Sequence, residues 1–268
     1  MKAPRFDYEK PKTLQEALAL LASSPDAKII AGGQSMGPLL NLRLAAPALL
    51  VDIRGLPELA AERDERDAIV LGACITHAQI EDGKALDSTR GFLARVASGI
   101  AYRAVRNRGT LGGSLAHADP AADWLSVMTL LDATLQVRSQ SAHRDIPVDR
   151  FVDGPLSTRL SKDEMIVAVR MRKLSPRART SYFKFNRKPG EFAIAIAGVV
   201  EDPDIGLSRA VIGATEGAPF VVADASPLIG KFDEHSGHKA VASAGFAAGT
   251  YEHQVHFVAL KRAAAGLQ

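Results

Sequence analysis

A single cysteine, Cys74, is all the thiol that this chain of 268 residues holds. It cannot close an internal disulfide, and it excludes an iron–sulfur cluster or a thiolate zinc site built from this chain alone. Any such centre has to sit on another chain. Aromatic residues are scarce as well, at 6% with one tryptophan. The basic clusters at 103–108 and 170–179 therefore lack the interleaved rings on which a nucleic acid would stack. Charge of one sign is missing too: 33 Lys and Arg stand against 30 Asp and Glu, a net +3, so no polyanionic partner is indicated. No apolar run approaches the ~20 residues that span a bilayer, and the opening MKAPRFDYEKPK has no apolar signal core. A reducing cytoplasm is the expected compartment. Neither a repeat at solenoid spacing nor a low-complexity segment is present.

What is present is a globular composition, 47% hydrophobic, long enough for two or three units. Thr13 with Glu16 three residues on reads as a capped helix start, and Leu14, Ala17, Leu18 and Leu21 share one face before Pro25. AKIIAG reads as a buried strand, PLLNLRL as a short helix opened by Pro38, and LLVDI as a returning strand. This βαβ-like unit closes near Arg54. AIVLGACIT reads as another strand, and Thr76 with Gln79 forms a capping box. Residues 89–102 read as helical, and Asp119 as the N-cap of a helix from Pro120 through AADWLSVMTLLDA. TLQVRS and EMIVAVRM are strands that complete a second unit near Lys173. The basic, proline-containing stretch 172–180 is the linker candidate. SYFKFN, FAIAIAGVVE and LSRAVIGA then read as three strands, with helices over HKAVASAGFAAG and EHQVHFVALKRAAA, a small α+β unit.

Two glycine pairs carry the chemistry. IIAGGQSMGP places Gly32-Gly33 directly after a strand, and TLGGSLAHADP places Gly112-Gly113 before Pro120. Glycines there let the backbone turn and approach a ligand, and successive N–H groups make a concave nest for an anion. Neither pair has the three spaced glycines of a dinucleotide fingerprint or the Lys-Ser/Thr of a triphosphate loop. Two nests suit one pyrophosphate lying between two subdomains. Asp119 and Asp123 have the spacing of an acid–base pair, but Asp119 serves better as a cap. His117 reads as a loop residue, and the His235/His238 and His253/His256 pairs lack the interleaved acid of a zincin. Trp124 and Met128 read as core, and Cys74 as a small buried hydrophobe.

FDYEKPKTLQEALALLA, AGGQSMGPLLNLRLAAPALLVDI, AYRAVRNRGTLGGSLAHADPAADW and YFKFNRKPGEFAIAIAGV, in this order, resemble the FAD-binding medium subunit of molybdenum hydroxylases of the carbon monoxide and xanthine dehydrogenase type. The resemblance covers nearly the whole chain. It implies an α+β fold: a two-subdomain FAD domain of the vanillyl-alcohol-oxidase (PCMH) type over residues 1–54 and 55–175, and a C-terminal α+β domain over 176–268 with a three-stranded antiparallel sheet and helices. By the same resemblance Ala31, Gly32, Gly33, Gln34, Ser35 and Met36, with Thr110, Leu111, Gly112, Gly113 and Ser114, wrap the FAD pyrophosphate and ribityl chain. Asp123 hydrogen-bonds the cofactor, Lys184 lies beside it, and Phe192 approaches the isoalloxazine ring. Ser114 stands where Asn is usual, Glu191-Phe192 where Asp-Tyr is common, and the match weakens after Glu201.

The implied function is electron transfer. Electrons arrive from a molybdenum-cofactor large subunit through a small [2Fe-2S] subunit and leave to NAD⁺, a quinone or another external acceptor, in a dimer of heterotrimers. No catalytic acid, base or nucleophile and no metal ligand is then required of this chain. Two other classes stay open at this stage. A self-contained FAD oxidoreductase needs a substrate pocket in the third unit, where AIAIAGVV and VIGATEGA offer few polar groups. Against an assembly subunit without FAD stand the intact glycine pairs.

Overall fold

The computed structural model describes residues 2–267. The chain opens with β1 (Asp7–Glu9), α1 (Leu14–Ser23), β2 (Ala27–Ile30), α2 (Met36–Asn41) and β3 (Leu49–Asp52). The Thr13 hydroxyl accepts from the Glu16 N–H at 3.2 Å, and the Glu16 carboxylate takes the N–H of Lys12 at 2.7 Å, so the spacing read from the sequence does cap α1. The three strands form a parallel sheet in the order β1-β3-β2. α2 starts at Met36 rather than at Pro38; the proline falls in the first turn, where its missing N–H costs nothing.

The second part contains α3 (Pro57–Ala60), β4 (Glu62–Asp64), β5 (Ala68–Gly72), α4 (His77–Glu81), α5 (Phe92–Ser98), α6 (Arg103–Arg106), α7 (Leu111–His117), α8 (Asp123–Leu130), β6 (Thr134–Arg138), β7 (His143–Pro147), β8 (Val152–Gly154), β9 (Ser157–Thr158) and β10 (Met165–Arg172). Its sheet is antiparallel, in the order β4-β5-β10-β6-β7. β10 is buried on both sides. Met165 and Val167 enter the core under the first sheet, while Ile166, Val169 and Met171 enter the larger core of the second. The two sheets thereby share a wall.

Three local readings need correcting. Residues 89–102 are not one helix: α5 is bounded by Gly91 at φ 81 and followed by Ala101 at φ 43. The second glycine pair lies inside the first turn of α7 rather than in a loop. The Asp119 carboxylate accepts the Ala121 N–H at 2.9 Å in a local turn, and α8 begins only at Asp123. Once started, α8 is buried along its whole length, Trp124 and Met128 included.

The third part contains β11 (Arg179–Phe185), β12 (Ala195–Asp202), β13 (Leu207–Gly213), β14 (Phe220–Val222), α9 (Glu234–Ser243) and α10 (Tyr251–Ala265). Its antiparallel sheet has four strands, in the order β11-β12-β13-β14, one more than the sequence reading gave. β14 has three half-buried residues and no alternation to announce it. α10 packs on β11 and β12, and α8 packs on β12 and β13. His253 and His256 point inward from α10, at 4% and 2% exposure; His253 Nε2 meets His238 Nδ1 at 2.9 Å. The stretch 172–180 is pinned rather than loose. Lys173 pairs with Asp64, the Ser175 N–H and hydroxyl donate to the Asp202 carboxylate at 2.7 and 2.6 Å, and Arg177 meets Asp204 at 2.9 Å.

Candidate functional site

The first glycine pair leaves β2 and turns into α2 with Gly33 at φ 76, a conformation that favours a residue without Cβ. The backbone N–H groups of residues 32–35 donate to no acceptor among the described residues. Ser35, at the helix start, makes no side-chain cap. A Cβ built on Gly33 would meet only the Ile30 side chain, at 3.6 Å, so the concave side is clear. Successive backbone donors left free beside open space are what a diphosphate requires.

The second pair is built otherwise. The Leu111 N–H donates to the Ile75 carbonyl at 2.9 Å, the Gly112 N–H to the Ala73 carbonyl at 2.8 Å, and the Gly113 N–H to the Thr110 hydroxyl at 3.1 Å. These donors are spent inside the protein, so the segment is not a second nest of free N–H groups. What it presents outward is bare surface: Gly113 is exposed, and the half-buried Ser114 hydroxyl has no hydrogen-bond partner among the described residues. Gly112 is fixed by packing, because a Cβ there would stand 2.5 Å from that of Ala73.

The two segments touch through backbone. A Cβ on Gly32 would fall 2.0 Å from the Arg108 carbonyl oxygen and 2.9 Å from the Gly109 Cα. Gly109 in turn lies on His77, whose Nε2 would be 2.7 Å from a Gly109 Cβ, and the His77 N–H donates to the Gly109 carbonyl at 3.0 Å. Trp124 Nε1–H donates to His77 Nδ1 at 2.9 Å, which puts the imidazole proton on Nε2. First segment, Gly109, His77 and Trp124 form one column. Sequence reasoning missed His77 as a member of this site. Its signal was the Thr76–Gln79 capping box, which holds the first turn of α4 in place, together with a third glycine ahead of Thr110.

Burial, with a smaller push from the Arg106 charge, holds the His77 imidazole down to about 4 from its ordinary 6.5. A depressed pKa stabilises the fold above 6.5, and this contribution is lost as pH falls through the folded-state value, roughly 3 kcal/mol in all. Thermal unfolding followed by circular dichroism should therefore show stability falling between pH 6.5 and 4. His77→Gln should flatten that part of the profile.

Asp123 and Lys184 come together from α8 and β11. Lys184 Nζ lies 2.9 Å from Asp123 Oδ1 and donates to Oδ2 at 3.0 Å and to the Gly99 carbonyl at 2.8 Å, while the Tyr182 hydroxyl donates to Oδ1 at 2.8 Å. Burial pushes the Asp123 carboxyl up, against the pull of Lys184 and Tyr182. Phe192 stands apart from this buried trio on the turn after β11, 63% exposed. His117 is half-buried in the last turn of α7. Cys74 is buried, its thiol pushed up to about 12 chiefly by desolvation, which leaves it inert. Two surface cavities, of about 480 and 460 Å³, lie elsewhere, on α10 and beside β1.

This arrangement of a parallel three-stranded sheet, an antiparallel five-stranded sheet and two joined glycine segments coincides with a known one. Residues 4–171 match the family described as the FAD binding domain in molybdopterin dehydrogenase. The chain belongs to that family. Its α+β fold is the two-subdomain FAD-binding domain of PCMH type followed by a C-terminal α+β domain, its cofactor is FAD, and it is an oxidoreductase subunit of the molybdenum hydroxylase type. It is 40% identical to the alpha subunit of the 6-hydroxypseudooxynicotine dehydrogenase complex of Paenarthrobacter nicotinovorans, over 75% of this chain and 68% of that one. It is 35% identical to the nicotine 6-hydroxylase medium subunit of the same organism, over 85% and 81%. Carbon monoxide dehydrogenase from Hydrogenophaga pseudoflava superposes with a TM-score of 0.88 at 30% identity, covering 99% of this chain and 98% of that one. The free backbone N–H groups of residues 32–35 are of the kind that suits the diphosphate of such a cofactor. No helix among the described residues is long and apolar enough to cross a membrane.

Proposed function

We propose that this subunit relays electrons through FAD, from the iron–sulfur clusters of a partner subunit to an external acceptor, within a heteromeric molybdenum hydroxylase. The observation that carries this reading is the set of free backbone donors at 32–35 held against 108–109. FAD supplies chemistry that no side chain offers, since it takes up electrons singly and gives them up as a pair. The chain's part is to bind and orient. Ala31, Gly32, Gly33, Gln34, Ser35 and Met36 receive the diphosphate. Thr110, Leu111, Gly112, Gly113 and Ser114 form the facing wall, with Ser114 the free hydroxyl. Asp123 hydrogen-bonds the cofactor with Lys184 beside it, and Phe192 offers a ring for the isoalloxazine to approach. Residues 1–54 and 55–175 are the two subdomains of this cradle, and 176–268 the C-terminal domain.

With one cysteine in the chain, the [2Fe-2S] centres belong to a small subunit and the molybdenum cofactor to a large one, in a dimer of heterotrimers in the cytoplasm. Reconstitution tests this. The chain alone, with FAD, should be reducible by dithionite and should oxidise no aldehyde, purine or other N-heterocycle. Adding both partner subunits should give substrate-dependent bleaching of the flavin, and omitting the iron–sulfur subunit should prevent it. Turnover by the chain alone, free of molybdenum and iron, would instead make it a self-contained oxidoreductase.

A further inference from the structure

Tyr102 and Phe192 are among the most exposed large side chains, at 64% and 63%, on two segments that clasp each other beside the Lys184–Asp123 pair. One segment is 99–102. Its Gly99 carbonyl accepts from Lys184 Nζ at 2.8 Å, and its Ala101 is held at φ 43, a left-handed conformation that strains any residue with a Cβ. The other is the turn 186–194 between β11 and β12, closed by the Asn186 side chain donating to the Glu191 carbonyl at 3.3 Å. Gly190 in that turn has φ 88, and its Cα lies against the Tyr102 ring: an added Cβ would stand 3.0 Å from two ring carbons. The Tyr102 ring thus follows a left-handed residue in the chain and lies against a second one, Gly190, and at 64% exposure core burial plays no part in placing it. Its hydroxyl makes no hydrogen bond among the described residues. Two left-handed residues beside one exposed ring are the kind of backbone outlier that clusters at ligand sites.

We propose that Tyr102 is a cover for the flavin: its ring closes the side of the isoalloxazine site opposite Phe192 and sets which electron acceptors can reach the cofactor. This rests on the FAD reading above. The flavin is a flat heteroaromatic system, and exposed aromatic faces stack on such rings while excluding water and small ions. The ring of Tyr102 matters here and its hydroxyl does not. The residue serves access to the cofactor and leaves diphosphate binding to 32–35.

Collisional quenching of flavin fluorescence by iodide in the FAD-loaded full-length chain tests this. Tyr102→Ala should raise the quenching constant by about threefold or more, since a lid that sequesters a site from solvent has been removed. Tyr102→Phe should match the parent, and Tyr102→Trp should fall at or below it. The FAD dissociation constant of Tyr102→Ala should rise by no more than about tenfold, the scale of one lost aromatic contact, because no diphosphate contact is touched. Equal quenching in Tyr102→Ala and parent, or a Tyr102→Phe that behaves like Tyr102→Ala, would overturn the proposal. So would loss of FAD from Tyr102→Ala, which would make Tyr102 a binding residue. A parent chain that takes up no FAD would fail the underlying FAD reading instead, before any variant is compared.

Discussion

Gly32→Val is expected to abolish FAD binding and to lower stability by about 3 kcal/mol, the scale of overpacking against an unyielding neighbour. The neighbour is backbone: the Arg108 carbonyl oxygen would lie 2.0 Å from the first added carbon. No rotamer relieves that contact, so the segments 31–36 and 108–114 must separate. Losing two N–H bonds to a charged diphosphate, at about 1.5–3 kcal/mol each, corresponds to roughly 10²- to 10⁴-fold in affinity. Gly33→Ala should be milder. It pays only the left-handed penalty of about 1–2 kcal/mol, because the Ile30 side chain at 3.6 Å leaves room. Gly113→Ala should act through the cap, since its Cβ would stand 2.6 Å from the Thr110 hydroxyl, a loss of about 0.5–2 kcal/mol. Fluorescence titration with FAD and urea unfolding of the three variants give the order. A Gly32→Val chain that binds FAD like the parent would show that the contact between segments is irrelevant to the cofactor.

Lys184→Met should destabilise the chain by about 3–5 kcal/mol at neutral pH, as removal of one partner of a buried ion pair does. The pair is well enclosed, with side-chain exposures of 11% for Lys184 and 9% for Asp123. With the ammonium gone, the Asp123 carboxyl loses its charged partner while keeping the Tyr182 hydroxyl, and burial, already its largest influence, pushes it further up. A raised folded-state pKa contributes stability that is complete below the unfolded value of 3.8 and is lost as pH rises through the folded one. The deficit of Lys184→Met should therefore be smaller at pH 5 than at pH 8, and Asp123→Asn in the same chain should recover much of it. Urea unfolding at the two pH values decides this. A deficit independent of pH would mean that Asp123 is not the group left uncompensated.

Much of this architecture was legible where local chemistry is self-contained. Thr13 with Glu16 and Thr76 with Gln79 mark real helix starts because both partners of each cap lie within one turn. β10 and β12 read as strands because both their faces are buried and their sequences open on apolar runs, Met165–Val169 and Ala195–Val200. β7, with HRDIP and only Ile146 buried, gave no period to detect. Asp119 misled because an Asx turn and an N-cap use the same carboxylate in the same way, and only the chain path through Ala122 separates them. The glycines of the site were visible as residues but not in their roles. Gly32 and Gly112 are dictated by backbone and side chains distant in sequence, Arg108 and Ala73, and His77 joins the column only when α4 and α8 meet. The resemblance supplied the cofactor, while the structure separates the segment with free donors from the one whose donors are spent.

The central claim, that residues 32–35 cradle the diphosphate of FAD, is tested most directly by equilibrium binding of FAD and of riboflavin to the flavin-free chain. The expected result is one FAD per chain, held without a covalent bond and released to the supernatant by acid, with riboflavin bound about 100-fold more weakly or worse for want of the diphosphate. Riboflavin binding as tightly as FAD, or no uptake of either, would contradict it.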